Sequence, residues 1–168
     1  MERYFRTEEG ELVNVIEHCR LILSQFPDTQ IFIGTDSQNS KKRKNKVHRK
    51  GFTMYSTVIV FRYPLKGAHY IYRNTQVPKI RDIFKRLFKE CECSLDIANY
   101  ITENTSYKIS RIELDYNDRI ITKSTPLISA TKGWCESLGY KTTLKKEEII
   151  ASKVADHCCR KKPEEETD

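Results

Sequence analysis

Apolar residues along this chain recur with two different periods, one typical of helices and one typical of strands. From residue 7 to residue 26 the spacing is helical, and Thr7 is a residue type that caps helix N-termini. The apolar run 31–36 predicts a buried strand, and the β-branched and aromatic stretch 52–62 predicts a second one. Residues 69–76 predict a return strand, so 52–76 is expected to form an antiparallel hairpin.

The period becomes helical again after Pro78, and residues 80–101 predict a long amphipathic helix. Further segments predict a strand at 108–115, a helix at 124–138, a strand at 140–144 and a helix at 146–159. The strands and helices therefore follow the order β-β-β-α-β-α-β-α after an extra N-terminal helix. This order predicts an α/β fold with a mixed five-stranded sheet and helices on both faces.

The length of 168 residues suits one domain with a modest core, since 38% of the residues are hydrophobic and 32% are charged. We expect a helical extension at 1–29, the domain at 30–160 and a solvated charged tail at 161–168. No apolar run long enough for a membrane span and no signal segment is visible, so we expect no membrane partner. The six cysteines form no CxxC pair, which favours reduced thiols in the cytoplasm.

The formal net charge is +7, although four of the last five residues are acidic. A basic body favours polyanionic partners such as nucleic acid, and the alternative is that the charge serves solubility alone. The stretch 41–50 has no apolar period and predicts a loop beside the first strand. Its seven cations are candidate phosphate contacts: Lys41, Lys42, Arg43, Lys44, Lys46, Arg49 and Lys50.

Three acids stand at the ends of predicted elements or on the last helix. Asp36 ends the first strand, Asp115 ends the fourth, and Asp156 lies in the final helix. If the first and fourth strands are parallel neighbours, Asp36 and Asp115 lie side by side on one edge of the sheet. Two carboxylates so placed repel each other unless a divalent cation such as Mg²⁺ lies between them.

Each of these acids also has an ordinary structural interpretation. Asp36 is followed by serine, and Asp-Ser is typical of turns. Asp115 is followed by a polar segment and fits a turn equally well. Asp156 can pair on the helix surface with Lys153 or Arg160.

The chain resembles the YkuK-type branch of the ribonuclease H-like superfamily, a group of mostly uncharacterised bacterial proteins. The resemblance covers residues 30 to 157 and rests on five short motifs. These are "IGTDSQ" (33–38), "VIVF" (58–61), "AHYIYR" (68–73), "IELD" (112–115) and "ASKVAD" (151–156).

This resemblance implies a nuclease site that binds Mg²⁺ or Mn²⁺ and hydrolyses phosphodiesters with two metal ions. Asp36 would contact both ions, Asp115 one of them and Asp156 the other. The superfamily also has an acid on its first long helix, and Glu90 is the candidate here. Asp96 and Asp82 compete with it, and Glu90 as a solvated helix residue is the structural alternative.

We therefore expect a divalent-metal-dependent nuclease that acts on RNA, an RNA–DNA hybrid or branched DNA. The alternatives are a non-catalytic nucleic-acid-binding or adaptor protein with the same fold, and a metal-dependent enzyme for a small phosphate ester. Oligomeric state is left open by the sequence.

Overall fold

The computed structural model describes residues 1–40, 51–116, 125–144 and 149–160. The candidate phosphate contacts of the basic stretch 41–50 and the predicted tail 161–168 lie outside the described residues. The elements, in chain order, are β1 (Tyr4–Thr7), β2 (Leu12–Asn14), α1 (Val15–Gln25), β3 (Gln30–Asn39), β4 (Phe52–Arg62), β5 (Ala68–Pro78), α2 (Ile83–Asn104), β6 (Arg111–Leu114), α3 (Thr125–Ser137), β7 (Thr142–Leu144) and α4 (Ala151–Cys159).

The strands form one mixed sheet in the order β2-β1-β5-β4-β3-β6-β7. β3, β4 and β5 are consecutive antiparallel neighbours. β6 then pairs with β3 in parallel, and β7 pairs with β6 in parallel. The predicted five-stranded mixed sheet is thus present as β3 to β7, and two further strands extend it at the β5 edge.

The N-terminal region differs from the prediction of one helix over 7–26. Gly10 has a φ of +92°, which favours glycine, and it lies in a tight turn that joins β1 to β2. The turn is closed by the Thr7 amide, which donates to the Glu11 carbonyl at 2.8 Å. The helix begins only after Asn14, whose side chain accepts hydrogen bonds from the amides of Ile16 and Glu17. Thr7 is therefore a strand residue, and the cap is Asn14.

Two other boundaries also move. The first predicted strand, 31–36, is longer in the structure because its pairing with β4 continues to Asn39. Asp36 is therefore inside β3, and the prediction that it ends the strand is wrong. The long helix starts at Ile83 because Asp82 caps it, while Pro78 is the last residue of β5. The last predicted helix, 146–159, is described only as α4, since residues 145–148 lie outside the described ranges.

Helices cover both faces of the sheet. α1, α2 and α3 contribute to the larger apolar core on one face, around residues such as Ile33, Leu95 and Ile112. α4 covers the opposite face, where Ala151 and Ala155 pack against Phe32 and other side chains of the central strands. None of the described helices is both long enough and apolar enough to cross a membrane.

Candidate metal centre

Asp36 lies at the point where β3 loses its parallel neighbour. The β3–β6 pairing sets Gly34 opposite Glu113, and β6 ends at Leu114. Continued by two residues, the same register places Asp36 beside Asp115, which follows β6 directly. On its other side β3 remains paired with β4, where Asp36 is opposite Ser56. Two carboxylates from neighbouring strands therefore meet at the end of β6.

The N-terminus of α4 is held against these two strands by a buried ion pair. Glu113 is buried and accepts hydrogen bonds from the guanidinium of Arg111 at 2.8 and 3.0 Å. Its second oxygen accepts the backbone amide of Ser152 at 3.0 Å, in the first turn of α4. Gly34 leaves room for this approach, because a Cβ there would lie 2.8 Å from the Ser152 nitrogen. The contact fixes where α4 starts over the sheet.

α4 carries Asp156 and Cys159 toward the same region. The Cys159 thiol donates to the backbone carbonyl of Asp36 at 3.1 Å. Asp156 is 46% exposed and accepts a hydrogen bond from Arg160, one turn later, at 2.6 Å. The predicted surface ion pair between Asp156 and Arg160 is therefore present. Asp156 lies three residues before Cys159 on α4, on the same helix face as the thiol that contacts the Asp36 carbonyl.

Glu90 approaches from α2, on the face of the sheet that carries the larger core. It is only 5% exposed, and its carboxylate accepts a hydrogen bond from the hydroxyl of Ser37. Arg86, one turn earlier on α2, donates to the same hydroxyl at 3.1 Å and to the Ser37 carbonyl at 3.0 Å. Ser37 follows Asp36, so Glu90 and Arg86 are anchored to the residue next to the strand carboxylate.

The two competing helix acids have other partners. Asp82 caps α2 by accepting the amides of Phe84 and Lys85. Asp96 forms an ion pair with Arg3 on an exposed surface. Of the three candidates on α2, Glu90 is thus the one that contacts β3, at the residue after Asp36, and its role as a metal ligand remains a prediction.

Burial and repulsion from neighbouring acids make the carboxyl groups of Asp36 and Glu90 hard to ionise. The pKa of Asp36 is raised to about 6. Burial is the main cause, and the charges of Asp156 and Asp115 contribute less. Burial also raises the pKa of Glu90 to about 8, with additional repulsion from Asp36 and Asp115. Arg86 opposes both shifts. The negative charges of Asp36 and Glu90 are therefore only partly compensated by their surroundings.

Two buried hydroxyls on β4 add polar donors beside the acids. Ser56 is opposite Asp36 and Tyr55 is opposite Ser37. Both side chains are almost fully buried, and neither hydroxyl has a hydrogen-bond partner among the described residues. Oxygen donors around a cluster of hard carboxylates match the chemistry that Mg²⁺ and its waters prefer.

Within the described ranges, no three His, Cys, Asp or Glu side chains stand close enough together to hold a metal ion as placed. Asp156 is engaged by Arg160, and Glu90 by Ser37. By charge and donor type the residues fit a divalent cation, and Asp156 and Glu90 would have to exchange these partners for it.

Sequence reasoning named the four acids as candidates but missed the residues that contact them. Arg86 carries a signal in retrospect, since it lies four residues before Glu90 and so shares its helix face. Glu113 carried none, because a buried acid in a four-residue strand looks like an exposed one until α4 is placed above it.

A comparison with protein families agrees with this architecture. A family model described as "Ribonuclease H-like" matches residues 14–160. A search of curated proteins found no match. A solved structure described as "Crystal structure of LC9-RNase H1, a type 1 RNase H with the type 2 active-site motif" is similar at 10% identity, with 79% of this chain and 71% of that chain covered. Its TM-score is 0.35, and this likeness carries no further argument here.

Proposed function

This chain belongs to the ribonuclease H-like family, and on that premise we propose that it is a divalent-metal-dependent nuclease. Its substrates would be phosphodiester bonds in RNA, in an RNA–DNA hybrid or in branched DNA. The observation that carries the proposal is a group of acids around the end of β6: the β3–β6 register sets Asp36 beside Asp115, and Glu90 is hydrogen-bonded to Ser37, the next residue of β3. Such a cluster destabilises the empty protein, and a bound cation removes that cost.

Mg²⁺ or Mn²⁺ would be held by Asp36, Asp115 and Glu90, with Asp156 joining after it releases Arg160. Two such ions would neutralise charge on the phosphate and lower the pKa of water at the site. The protein's own residues supply the frame for this chemistry. Glu113 and Gly34 fix the N-terminus of α4, and Arg86 fixes the Glu90–Ser37 contact.

Among the described residues, Arg160 donates to Asp156, and Arg86 shares the Ser37 hydroxyl with Glu90. A guanidinium binds phosphate oxygens through paired hydrogen bonds, so an approaching phosphate can take Arg160 from Asp156. This exchange would free the Asp156 carboxylate at the moment when substrate arrives. The cations of the stretch 41–50 stay a predicted phosphate-binding loop, since they fall outside the described residues.

Two narrower assignments belong to the same proposal. The motifs around Asp36 and Asp156 support membership of the YkuK-type branch. All six cysteines are free thiols, which suits a reducing compartment such as the cytoplasm.

A second candidate function is a nucleic-acid-binding protein without catalysis. It is favoured by the finding that, within the described ranges, no three potential ligands are assembled for a metal. The two candidates differ in one respect, since only the nuclease requires the acids for turnover.

The decisive experiment measures cleavage of labelled RNA–DNA hybrid, duplex RNA and four-way DNA with Mg²⁺ and with Mn²⁺. Asp36→Asn should reduce the cleavage rate by at least two orders of magnitude, and the variant should retain its affinity for nucleic acid. Asp96→Asn is the matched control, because Asp96 is a surface acid paired with Arg3 and should cut normally. Cleavage by Asp36→Asn at the normal rate would disprove the proposed site. Binding without cleavage by the wild-type protein would favour the second candidate.

A further inference from the structure

An exposed aromatic strip runs along the seam between α2 and α3. Phe84 and Phe88 are one turn apart on α2, and each is 43% exposed. The ring of Phe88 stacks on that of Trp134 from α3, with 5.2 Å between centroids and 21° between planes. Large aromatic rings normally bury most of their surface, so two exposed phenylalanines beside a partly buried tryptophan indicate a contact surface. We call Phe84, Phe88 and Trp134 the aromatic strip.

The seam beneath the strip is packed, so the rings have a firm base. The Cys91 thiol contacts that of Cys135 at 3.6 Å and the Thr131 carbonyl at 3.8 Å. Trp134 packs with its inner edge on the main core. The strip therefore lies on two helices that are packed against each other. Its exposed rings lose little conformational entropy when a ligand binds.

Both helices that carry the aromatic strip also contact residues next to the candidate acids. Phe88 is two residues before Glu90 on α2. On the other side, Asp115 is followed by Tyr116, whose hydroxyl donates to Thr131 at 2.8 Å, one turn before Trp134. The helices that carry the strip are therefore the same ones that contact the residues beside Asp36 and Asp115.

Cations border the rings. Arg81 and Lys85 flank Phe84 in the sequence and are exposed, and Lys132, two residues before Trp134 on α3, is exposed and pairs with Glu136 at 3.7 Å. Aromatic faces with cations alongside suit a strand whose bases stack while its phosphates remain outside. Phe84 and Phe88 are about 6 Å apart along the helix axis, more than the roughly 3.4 Å between successive nucleotides of a stacked strand. The spacing therefore suits bases that have left the helical stack, as in single strands and loops.

We propose that the aromatic strip binds the unstacked bases of a single-stranded nucleic-acid segment next to the candidate metal centre. The inference rests on the proposed function for the identity of the ligand, and it narrows the substrate to one with a single-stranded part beside the scissile phosphate. It also explains why the basic stretch 41–50 lacks aromatic residues, because stacking takes place on α2 and α3.

The test uses Trp134, the only tryptophan of the chain, as a direct reporter. A short oligothymidine, its RNA counterpart and a blunt duplex are titrated in chelator, so that no cleavage occurs. Emission of Trp134 should be quenched by both single strands and much less by the duplex. Unchanged emission with saturating single strands would overturn the proposal, as would equal quenching by the duplex.

Variants then assign the contact to the strip. Phe88→Ala should weaken single-strand binding roughly tenfold, measured by anisotropy of a labelled oligonucleotide, since a base–aromatic stack contributes about 1–3 kcal/mol. Phe88→Tyr keeps an aromatic face and should bind normally, which separates stacking from misfolding. Phe26→Ala removes an equally exposed ring that packs against Tyr63 near the opposite end of β3 and should have no effect. Binding by Phe88→Ala within twofold of wild type would overturn the proposal.

The outcomes for the strip and for the nuclease can be told apart. Asp36→Asn should lose cleavage but keep the quenching of Trp134 by single strands. Cleavage with no response of Trp134 would refute the strip and leave the nuclease standing. Quenching with no cleavage would refute the nuclease alone. Self-association through the strip, seen as protein-concentration-dependent Trp134 emission without oligonucleotide, would identify a second copy as the occupant and overturn the proposal.

Discussion

The buried carboxyl of Glu90 should make the metal-free protein less stable as the pH rises. Glu90 has a folded-state pKa of about 8, raised chiefly by burial, against 4.5 for an exposed glutamate. Between these values the unfolded chain has released the proton while the folded protein still holds it. The unfolded state therefore binds fewer protons, and the free energy of unfolding falls with increasing pH. Below about pH 4.5 both states are protonated, so the contribution is fully present there.

The size of this loss of stability follows from the difference between the folded and unfolded pKa values of Glu90. Each pH unit of pKa difference corresponds to about 1.4 kcal/mol, so the whole interval is on the order of 5 kcal/mol. This is a large part of the roughly 5–15 kcal/mol that stabilises a typical domain. Glu90→Gln keeps a partner for the Ser37 hydroxyl but cannot ionise, so it should lack most of the decline.

The assay is urea unfolding in chelator at intervals from pH 4.5 to pH 8.5. The difference in unfolding free energy between Glu90→Gln and wild type should grow steadily in favour of the variant. Glu92→Gln is the matched control, since Glu92 is exposed two residues away and pairs with Lys89. Parallel pH profiles for wild type and Glu90→Gln would refute the burial and repulsion assigned to Glu90. Mn²⁺ at pH 8 should restore the stability of wild type far more than that of the variant.

Two further predictions concern the frame around the site. Gly34→Ala should destabilise the protein by about 1–3 kcal/mol, because the new methyl group meets the backbone of Ser152 and Ala151 within 3.0 Å. Thermal melting measures this loss. Gly133→Ala is the control, because nothing lies within 4 Å of the added Cβ, and it should be neutral or slightly stabilising. An equal melting temperature for both variants would contradict the close approach of α4. Burial and the neighbouring His69 lower the pKa of His18 to about 4, and 2.8 Å separates the two Nε2 atoms. Between about pH 4 and 6.5 the unfolded chain holds a proton on His18 that the folded protein lacks. The free energy of unfolding should therefore rise with pH over this range. His18→Gln should flatten this acid limb in the same urea experiment, and an unchanged limb would show that the pair does not titrate as described.

The central sheet was predictable because its signals are local. β4 is bounded by Phe52 and Arg62, as its aromatic and β-branched run predicts. The alternation of strands and helices after Pro78 also sufficed to predict that β6 joins the sheet in parallel, and that pairing puts Asp36 next to Asp115.

Other features depend on tertiary contacts that no local pattern encodes. The stretch 7–14 is periodic enough for a helix, but Gly10 and the pairing of β1 with β5 make it a hairpin. Glu90 could not be distinguished from Asp82 and Asp96 by spacing alone. The difference comes from burial against Ser37, from capping of α2 and from the ion pair with Arg3.

The central claim is that acids distant in sequence hold a divalent cation, and diffraction from a crystal soaked in Mn²⁺ tests it most directly. An anomalous peak about 2 Å from carboxylate oxygens of Asp36 and Asp115, with Glu90 or Asp156 completing the set, is the predicted result. Ordered carboxylates of Asp36 and Asp115 with no peak between them at saturating Mn²⁺ would contradict the claim.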